Sequence, residues 1–468
     1  MLKTLVGDDA YARALDLYFE RHDGDAATIE DWLKVFEDAT GRDLTQFKRW
    51  YEDAGTPRLS VEDAWEDGRY TLTFSQMTPP SPGQTEKPPR VIPIAVGLIG
   101  PDGTEVMGTH ILEMTEERQS FEFENLTARP VPSLLRGFSA PVILERSASN
   151  SERAFLLAHD TDPFNKWEAG RALARDGLLA MLRDGAEPNA GYLEAVHAMA
   201  RDDTLDPAFK ALAIGLPSED ELAQALFDAG DTPDPSAIWQ ALETVRQARA
   251  EAMQDTARAL YDAHQVTAPY APDAAQSGAR ALSNVALGLI TRMDGGALAQ
   301  AQFEAADNMT QQLAAYGCLL AAGSGQAATQ SFYDQWQHDR LVIDKWFMMQ
   351  VANAKPEVAA QTAQNLTEHP DFTLRNPNRF RAVMGALVMN PAGFHAPSGA
   401  GYKVLTDWLI QLDPLNPQTT ARMCSAFETW QRYDPTRQAL IAAELDRILA
   451  LDGLSRDSRE MVSRIRTA

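Results

Sequence analysis

Tyr70-Thr71-Leu72-Thr73-Phe74 sets a large apolar residue at every second position, and around it the chain changes from helix to sheet. A side-chain period of two belongs to a strand with one buried face. Phe121 and Phe123 repeat the pattern beside Glu122 and Glu124, and Ile92, Ile94, Val96 and Leu98 repeat it against the smaller Pro93, Ala95 and Gly97. Turn signals separate the runs, notably Pro101-Asp102-Gly103, so residues 58–147 read as a small antiparallel β-sandwich of the Ig-like kind. The stretch from Pro79 to Pro89 holds five prolines and is expected to be a connecting loop.

On the amino-terminal side the period is that of a helix. Tyr11, Ala14, Leu15, Tyr18 and Phe19 share one face behind Asp8 and Asp9, which can cap. Thr28 with Asp31 spells a capping box before Trp32, Val35 and Phe36, and Gly41 is a stop signal. Leu44, Phe47, Trp50 and Tyr51 mark a third helix, ended by Gly55-Thr56-Pro57. Leu2, Leu5 and Val6 are helix-spaced with no cap or polar lead-in, so Met1 is expected to sit inside a helix whose earlier turns precede it. Residues 1–57 would then be a short helical remnant. Tyr18, Phe19, Trp32, Phe36 and Trp50 would lack their partners there, which predicts an exposed apolar patch in the least protected part of the chain.

On the carboxy-terminal side, from 148 to 468, strand signals vanish and Ala-rich amphipathic segments take over. Breaks fall at Gly185–Pro188, Pro217, Asp231–Pro235, Pro269–Gln276, Gly323–Gly325, Pro370, Asn376-Pro377, Pro391 and Pro417. Short helices and short loops without a strict repeat predict a large, irregular, solenoid-like all-α domain. The fold class is therefore multidomain α+β, with segments 1–57, 58–147 and 148–468.

A net charge of -24 disfavours broad binding to nucleic acid or to an anionic membrane, since phosphate attraction needs a basic surface. The longest apolar runs, such as Leu341–Met349, are interrupted by Asp344 and Lys345, so none is read as spanning a membrane. Two cysteines, Cys318 and Cys424, make no disulfide framework and fit a reducing, cytoplasmic setting. Both lie in apolar helical contexts and read as buried, inert thiols.

Eight histidines allow an exhaustive test for the zinc-peptidase signature His-Glu-x-x-His, in which two imidazoles one turn apart hold the metal and the Glu is general base. The residues following them are Asp23, Ile111, Asp160, Ala198, Gln265, Asp339, Pro370 and Ala396, so the signature is absent. His159-Asp160 and His338-Asp339 are neighbours in sequence, do not face each other on a helix, and read as ordinary surface or core histidines. Neither a Gly-x-Ser-x-Gly elbow nor a Gly-x-x-x-x-Gly-Lys phosphate loop occurs.

Several collinear motifs nevertheless carry a family likeness. Leu17-Tyr18-Phe19-Glu20-Arg21-His22-Asp23-Gly24, Arg49-Trp50-Tyr51 with Ala54-Gly55-Thr56-Pro57, and Pro130-Val131-Pro132-Ser133-Leu134-Leu135-Arg136-Gly137-Phe138-Ser139-Ala140-Pro141-Val142 resemble bacterial aminopeptidase N. Asp344-Lys345-Trp346-Phe347, Asn376-Pro377-Asn378-Arg379-Phe380-Arg381, Asn390-Pro391-Ala392-Gly393-Phe394-His395-Ala396 and Arg432-Tyr433-Asp434 extend the likeness along the chain. The resemblance implies that residues 1–57 are the end of a thermolysin-like catalytic domain. It also implies that the zinc ligands, the general base and the catalytic Tyr lie before Met1.

No cofactor is then expected in this chain, and zinc is expected in the complete family enzyme. The expected partners are the missing amino-terminal half and peptide substrates, with no nucleic acid and no membrane. The helical domain of such enzymes encloses a substrate chamber, and Arg381, Gln418 and Arg422 lie on matching motifs as candidates to line it. A guanidinium suits that role because its fork binds a carboxylate or carbonyl oxygen with two donors. An alternative reading makes Arg379 and Arg381 structural ion-pair formers. At the level of function, the alternative is a stand-alone, non-catalytic helical scaffold that binds peptides or a protein.

Overall fold

The computed structural model describes residues 1–467, in two compact units, one from Met1 to Leu173 and the other from Ala174 onward. In the first unit the strands are β1 (Arg58–Glu66), β2 (Arg69–Met77), β3 (Ile92–Ile99), β4 (Glu105–Met114), β5 (Arg118–Phe123), β6 (Val131–Leu134) and β7 (Ile143–Glu145). They form two sheets, ordered β5-β2-β1-β7 and β4-β3-β6. Tyr70, Leu72 and Phe74 from one sheet meet Ile92, Ile94, Val96 and Leu98 from the other, all fully buried. Each such side chain contributes about 1.5–3 kcal/mol by leaving water. The alternation in the sequence is therefore the inward face of the sandwich.

Every pairing is antiparallel except that of β1 with β7, where Arg58 opposes Ile143 in parallel. The sequence gives no sign of this strand. It has three residues, all exposed, and so carries no period.

The other face of β3 explains its small residues. Ser139 Oγ accepts from the Ala95 N–H at 3.0 Å, and a Cβ at Gly97 would stand 2.0 Å from Cζ of Arg136. Arg136 is only 4% exposed and donates to Glu105 Oε1 (2.6 Å), Ser133 Oγ (2.7 Å), Thr109 Oγ1 (3.1 Å) and Asp160 Oδ1 (3.3 Å). On either side of it Leu135, Gly137 and Phe138 all have positive φ, at 57°, 60° and 54°. Such backbone costs about 1–3 kcal/mol per non-glycine residue and persists only where the surroundings hold it. Here the buried guanidinium is the anchor.

The helices Leu2–Val6, Asp8–His22, Ile29–Thr40 and Arg49–Glu52 belong to this same unit. Gly7, with φ 84°, occupies the cap position of the second helix, and Asp8 and Asp9 lie in its first turn rather than capping it. The Thr28/Asp31 capping box is formed, and Gly41 ends that helix in the left-handed conformation. Residues 1–57 are not left without partners. Phe36, Val35, Leu44 and Phe47 are buried in one cluster with Val91. Trp50 Nε1 donates to the Val91 carbonyl (2.7 Å), Gln46 Nε2 to that of Thr115 (2.6 Å), and Arg90 to that of Asp53 (2.9 Å). Phe19 and Tyr51 do remain open, at 60% and 46% exposure. The apolar patch expected from the sequence is thus reduced to a few residues.

Among the described residues the second unit's regular elements are all helices. Pro235–Ala252, Ala274–Asp294, Met309–Ala321, Arg340–Ala352 and Pro377–Val388 pack side by side as one layer. Gln254–Ala263, Ala297–Ala305, Gln326–Trp336 and Pro356–Thr367 alternate with them and pack against them as a second layer. Four of the prolines that break the sequence pattern, Pro235, Pro377, Pro391 and Pro417, are helix starts. Asp206-Pro207, Asp234-Pro235, Asn376-Pro377, Asn390-Pro391, Asn416-Pro417 and Asp434-Pro435 each put an Asp or Asn at the cap, where its side chain accepts a backbone N–H, and Pro in the first turn. Proline fits there because its missing N–H would be unpaired anyway.

Candidate functional site

The first layer of the helical unit is interrupted by a cavity of about 940 Å³. Its walls come from the carboxy-terminal halves of successive helices: Leu289 and Arg292, Gly317 and Cys318, Met349 and Ala352, then Met389. Trp239, Glu243, Arg246 and Arg249 enter from the helix Pro235–Ala252, and Glu219, Lys355 and Asn390 complete the polar part. Small residues at the turns (Gly288, Gly317, Ala321, Ala352) are what leave the space open.

Four cations and two carboxylates line this cavity. Glu243 takes two of the cations: Arg292 donates twice, at 2.9 and 3.1 Å, and Arg246 once, at 2.6 Å. Burial pushes the Glu243 carboxyl up, but the hydrogen bonds from Arg292 and Arg246 outweigh it and hold the group below the ordinary glutamate range. Glu219 has no such cation in hand. Burial pushes its carboxyl up, against the N–H of Ala392, which donates at 3.1 Å, and the charge of Arg246. Arg249, 8% exposed, donates to the Ile214 carbonyl, while its Nε is buried without a partner. A second cavity, of about 720 Å³, shares Glu243, Gln247 and Arg292 with the first, so this ion pair lies in both linings.

Arg381, Gln418 and Arg422 do not line either cavity. Arg381 is exposed on the first turns of Pro377–Val388, where it donates to Asn378 Oδ1 (2.6 Å) and the Pro377 carbonyl (3.3 Å) of its own helix. It stands eight residues, about 12 Å along the axis, from Met389 of the cavity wall. Gln418 and Arg422 are one turn apart on Pro417–Cys424, both exposed, and neither side chain makes a hydrogen bond or ion pair among the described residues. Arg379, by contrast, is structural. It is 5% exposed, donates to Asp344 Oδ1 at 2.5 Å, and lies 4.8 Å from the Phe347 ring centroid. Lys355, Arg246, Arg249 and Trp239 were not singled out from the sequence.

Among the described residues no three His, Cys, Asp or Glu side chains are grouped to hold a metal ion, and the donor sets present do not fit zinc. The dipeptides His159-Asp160 and His338-Asp339 are spent elsewhere. Asp160 accepts from Arg136, and Asp339 caps Arg340–Ala352. Cys424 is fully buried and its thiol is pushed up to about 12 by burial; burial also raises that of Cys318 in the cavity wall. Among the described residues no helix is long and apolar enough to cross a membrane.

Comparison with known proteins matches residues 150–467 to a domain of unknown function, DUF3458_C, described as ARM repeats, and residues 55–147 to DUF3458, described as an Ig-like fold. Aminopeptidase N of Caulobacter vibrioides is 40% identical over 99% of this chain and 54% of its own length. Aminopeptidase N of Escherichia coli is 36% identical over 99% of this chain and 55% of its own. The crystal structure of Legionella pneumophila aminopeptidase A in complex with aspartic acid superposes with a TM-score of 0.85 at 28% identity, covering 99% of this chain and 55% of that one. The chain spans about half the length of the curated relatives it matches.

Proposed function

The chain belongs to the DUF3458_C family and is homologous along 99% of its length to the carboxy-terminal portion of aminopeptidase N, and on that premise we propose that it forms the non-catalytic portion of a zinc aminopeptidase. In this reading it supplies the β-sandwich and the helical wall around a chamber in which peptides lose their amino-terminal residues. The zinc, its ligands and the general base are supplied by a polypeptide that carries His-Glu-x-x-His, and the setting is cytoplasmic. The observation that carries the proposal is identity of 40% and 36% to two aminopeptidases N along 99% of this chain.

The roles of this chain's residues follow from their chemistry. Gln418 and Arg422, exposed, unpaired and one turn apart, are the donors most available to a peptide backbone or carboxylate. Arg381 is half-engaged with its own helix and serves as a weaker contact.

The test is hydrolysis of a fluorogenic aminoacyl amide by the chain alone and by the chain combined with the amino-terminal portion of a relative's aminopeptidase N, with zinc assayed on each sample. Zinc-dependent turnover only in the combination is expected. Arg422→Ala in that combination is expected to raise KM for longer peptides about tenfold with kcat little changed, as loss of one charge-assisted contact would. Stoichiometric zinc with turnover by the chain alone would overturn the proposal. Peptide binding without turnover in either sample would favour the scaffold instead.

A further inference from the structure

The first layer of the second unit closes on itself. Pro235–Ala252 packs on Ala274–Asp294, and the order runs through Met309–Ala321, Arg340–Ala352 and Pro377–Val388 to the four-residue helix Pro391–Phe394. That short helix packs on Pro235–Ala252 again, so the layer is a ring. The 940 Å³ cavity lies within it, lined by its members in turn. At every joint but one the neighbouring helices are tethered by the chain, through at most one helix of the second layer. The exception is the joint between the two ends, where the bonded partners stand 173 to 212 positions apart.

This seam is held largely by charge. Arg432, 6% exposed, donates to Asp220 and, at 3.5 Å, to Gln224 Oε1. Arg437, 8% exposed, donates to Asp234 Oδ1 at 3.0 Å, and the Ala392 N–H donates to Glu219 Oε2 at 3.1 Å. Ala392 itself brings only a methyl group to the joint. The acids of the two ion pairs stand in water, with the side chains of Asp220 and Asp234 69% and 54% exposed. Pairs open to solvent on one side contribute little and weaken with salt.

The closed seam also serves some of its polar groups poorly. Arg432 Nε is buried without a partner, and Glu219, half-buried, holds one neutral donor and makes no ion pair among the described residues. Water reaching either group offsets part of the cost of opening. Neither arginine is stranded when the joint parts. Arg437 keeps Asp434 Oδ2 at 2.6 Å, and Arg432 keeps Tyr433 Oη at 2.7 Å, both within the last part of the chain.

We infer that the seam is a gate: the ring parts between Asp220 and Arg432 and between Asp234 and Arg437, and the cavity widens into a groove open to bulkier ligands. The tethered joints act as the hinges, and ionic strength sets the balance between closed and open. The gate is independent of the peptidase reading, since a ring that binds peptides without catalysis needs the same entry.

Cys318, in the cavity wall, reports the opening, while Cys424 is fully buried. The intact chain is alkylated with N-ethylmaleimide and, in parallel, with a maleimide carried on a long polyethylene glycol chain; both reagents are uncharged. Between about 0.05 and about 0.5 M salt, the long reagent is expected to gain about fivefold on the short one at Cys318. The double substitution Asp220→Asn/Asp234→Asn keeps a good cap on Pro235–Ala252, because Asn replaces Asp there. It is expected to show at low salt the ratio that the parent reaches only at high salt, and to lose the salt dependence.

Hydrogen exchange on the same samples reads the opening without Cys318. Residues 218–222, 390–394 and 430–437 are expected to exchange faster as salt rises, with the tethered joints unchanged. A reagent ratio unmoved by salt, equal acceleration of both reagents, or a salt dependence that survives the double substitution would overturn the gate. So would faster exchange at another joint with the seam unchanged. None of these readouts involves hydrolysis, so the gate and the peptidase reading fail separately.

Discussion

His395 is 6% exposed, with Nδ1 2.9 Å from Tyr402 Oη, its ring 4.2 Å from that of Tyr433, and its carbonyl accepting from Arg437 Nε at 2.7 Å. Burial, then the charges of Arg432 and Arg437, lower its pKa from 6.5 to about 3. The unfolded chain therefore takes up a proton below pH 6.5 that the folded chain refuses until about 3. The stability this group allows is full above pH 6.5 and is lost as pH falls through that window. The loss is on the order of 3 kcal/mol by pH 4. Urea unfolding at pH 7 and pH 4 should show His395→Gln losing less stability on acidification than the parent. Glu219 works in the opposite sense: its raised pKa favours the folded state below the ordinary glutamate value, and that contribution is lost as pH rises from there through the folded value. Spacing decides the fate of the two neighbouring arginines. Arg379 and Arg381 differ by two positions, about 200° around a helix, so one is buried on Asp344 and Phe347 while the other faces water.

Helix starts are where sequence and structure meet most directly in this chain. Asn416 Oδ1 accepts from the Thr419 N–H at 3.0 Å and Pro417 follows it. Asn416→Ala is expected to cost about 1 kcal/mol in urea unfolding, and Asn416→Gly only a few tenths. The sandwich core was legible at Tyr70, Leu72 and Phe74 because a one-sided strand writes its burial into every second residue. The helix breaks were legible because proline falls in first turns, as at Pro235 and Pro377, or in the loops between helices, as at Pro217 and Pro269. β7 was not, being too short to show a period, and neither was the anchoring of Arg136, whose partners Glu105 and Asp160 lie 31 and 24 positions away. The cavity was the least legible element. Each wall contributes one turn from a different helix between Glu219 and Asn390, and an arginine such as Arg249 reads as an ordinary helical residue until its neighbours are known. Only Lys355 left a mark in the sequence, as the one proline-led start of its unit without Asp or Asn.

At the scale of the molecule, each compact unit buries apolar residues of its own, the first in two clusters, one around Phe36 and one around Phe74 and Ile94, the second around Leu287, Phe347 and Leu405. Units with separate cores lose structure separately. Scanning calorimetry is expected to resolve more than one transition, and a single two-state transition for the whole chain would show that the cores melt as one. The -24 charge of the chain and the cationic excess in its cavity act on a ligand at different moments. A carboxylate approaching from solvent is slowed by the field of the whole molecule, whereas one already inside meets four cations of the lining against two carboxylates. Added salt shortens the reach of both, so it hastens arrival and hastens departure together. An affinity measured at one ionic strength would conceal two rates moving in the same direction.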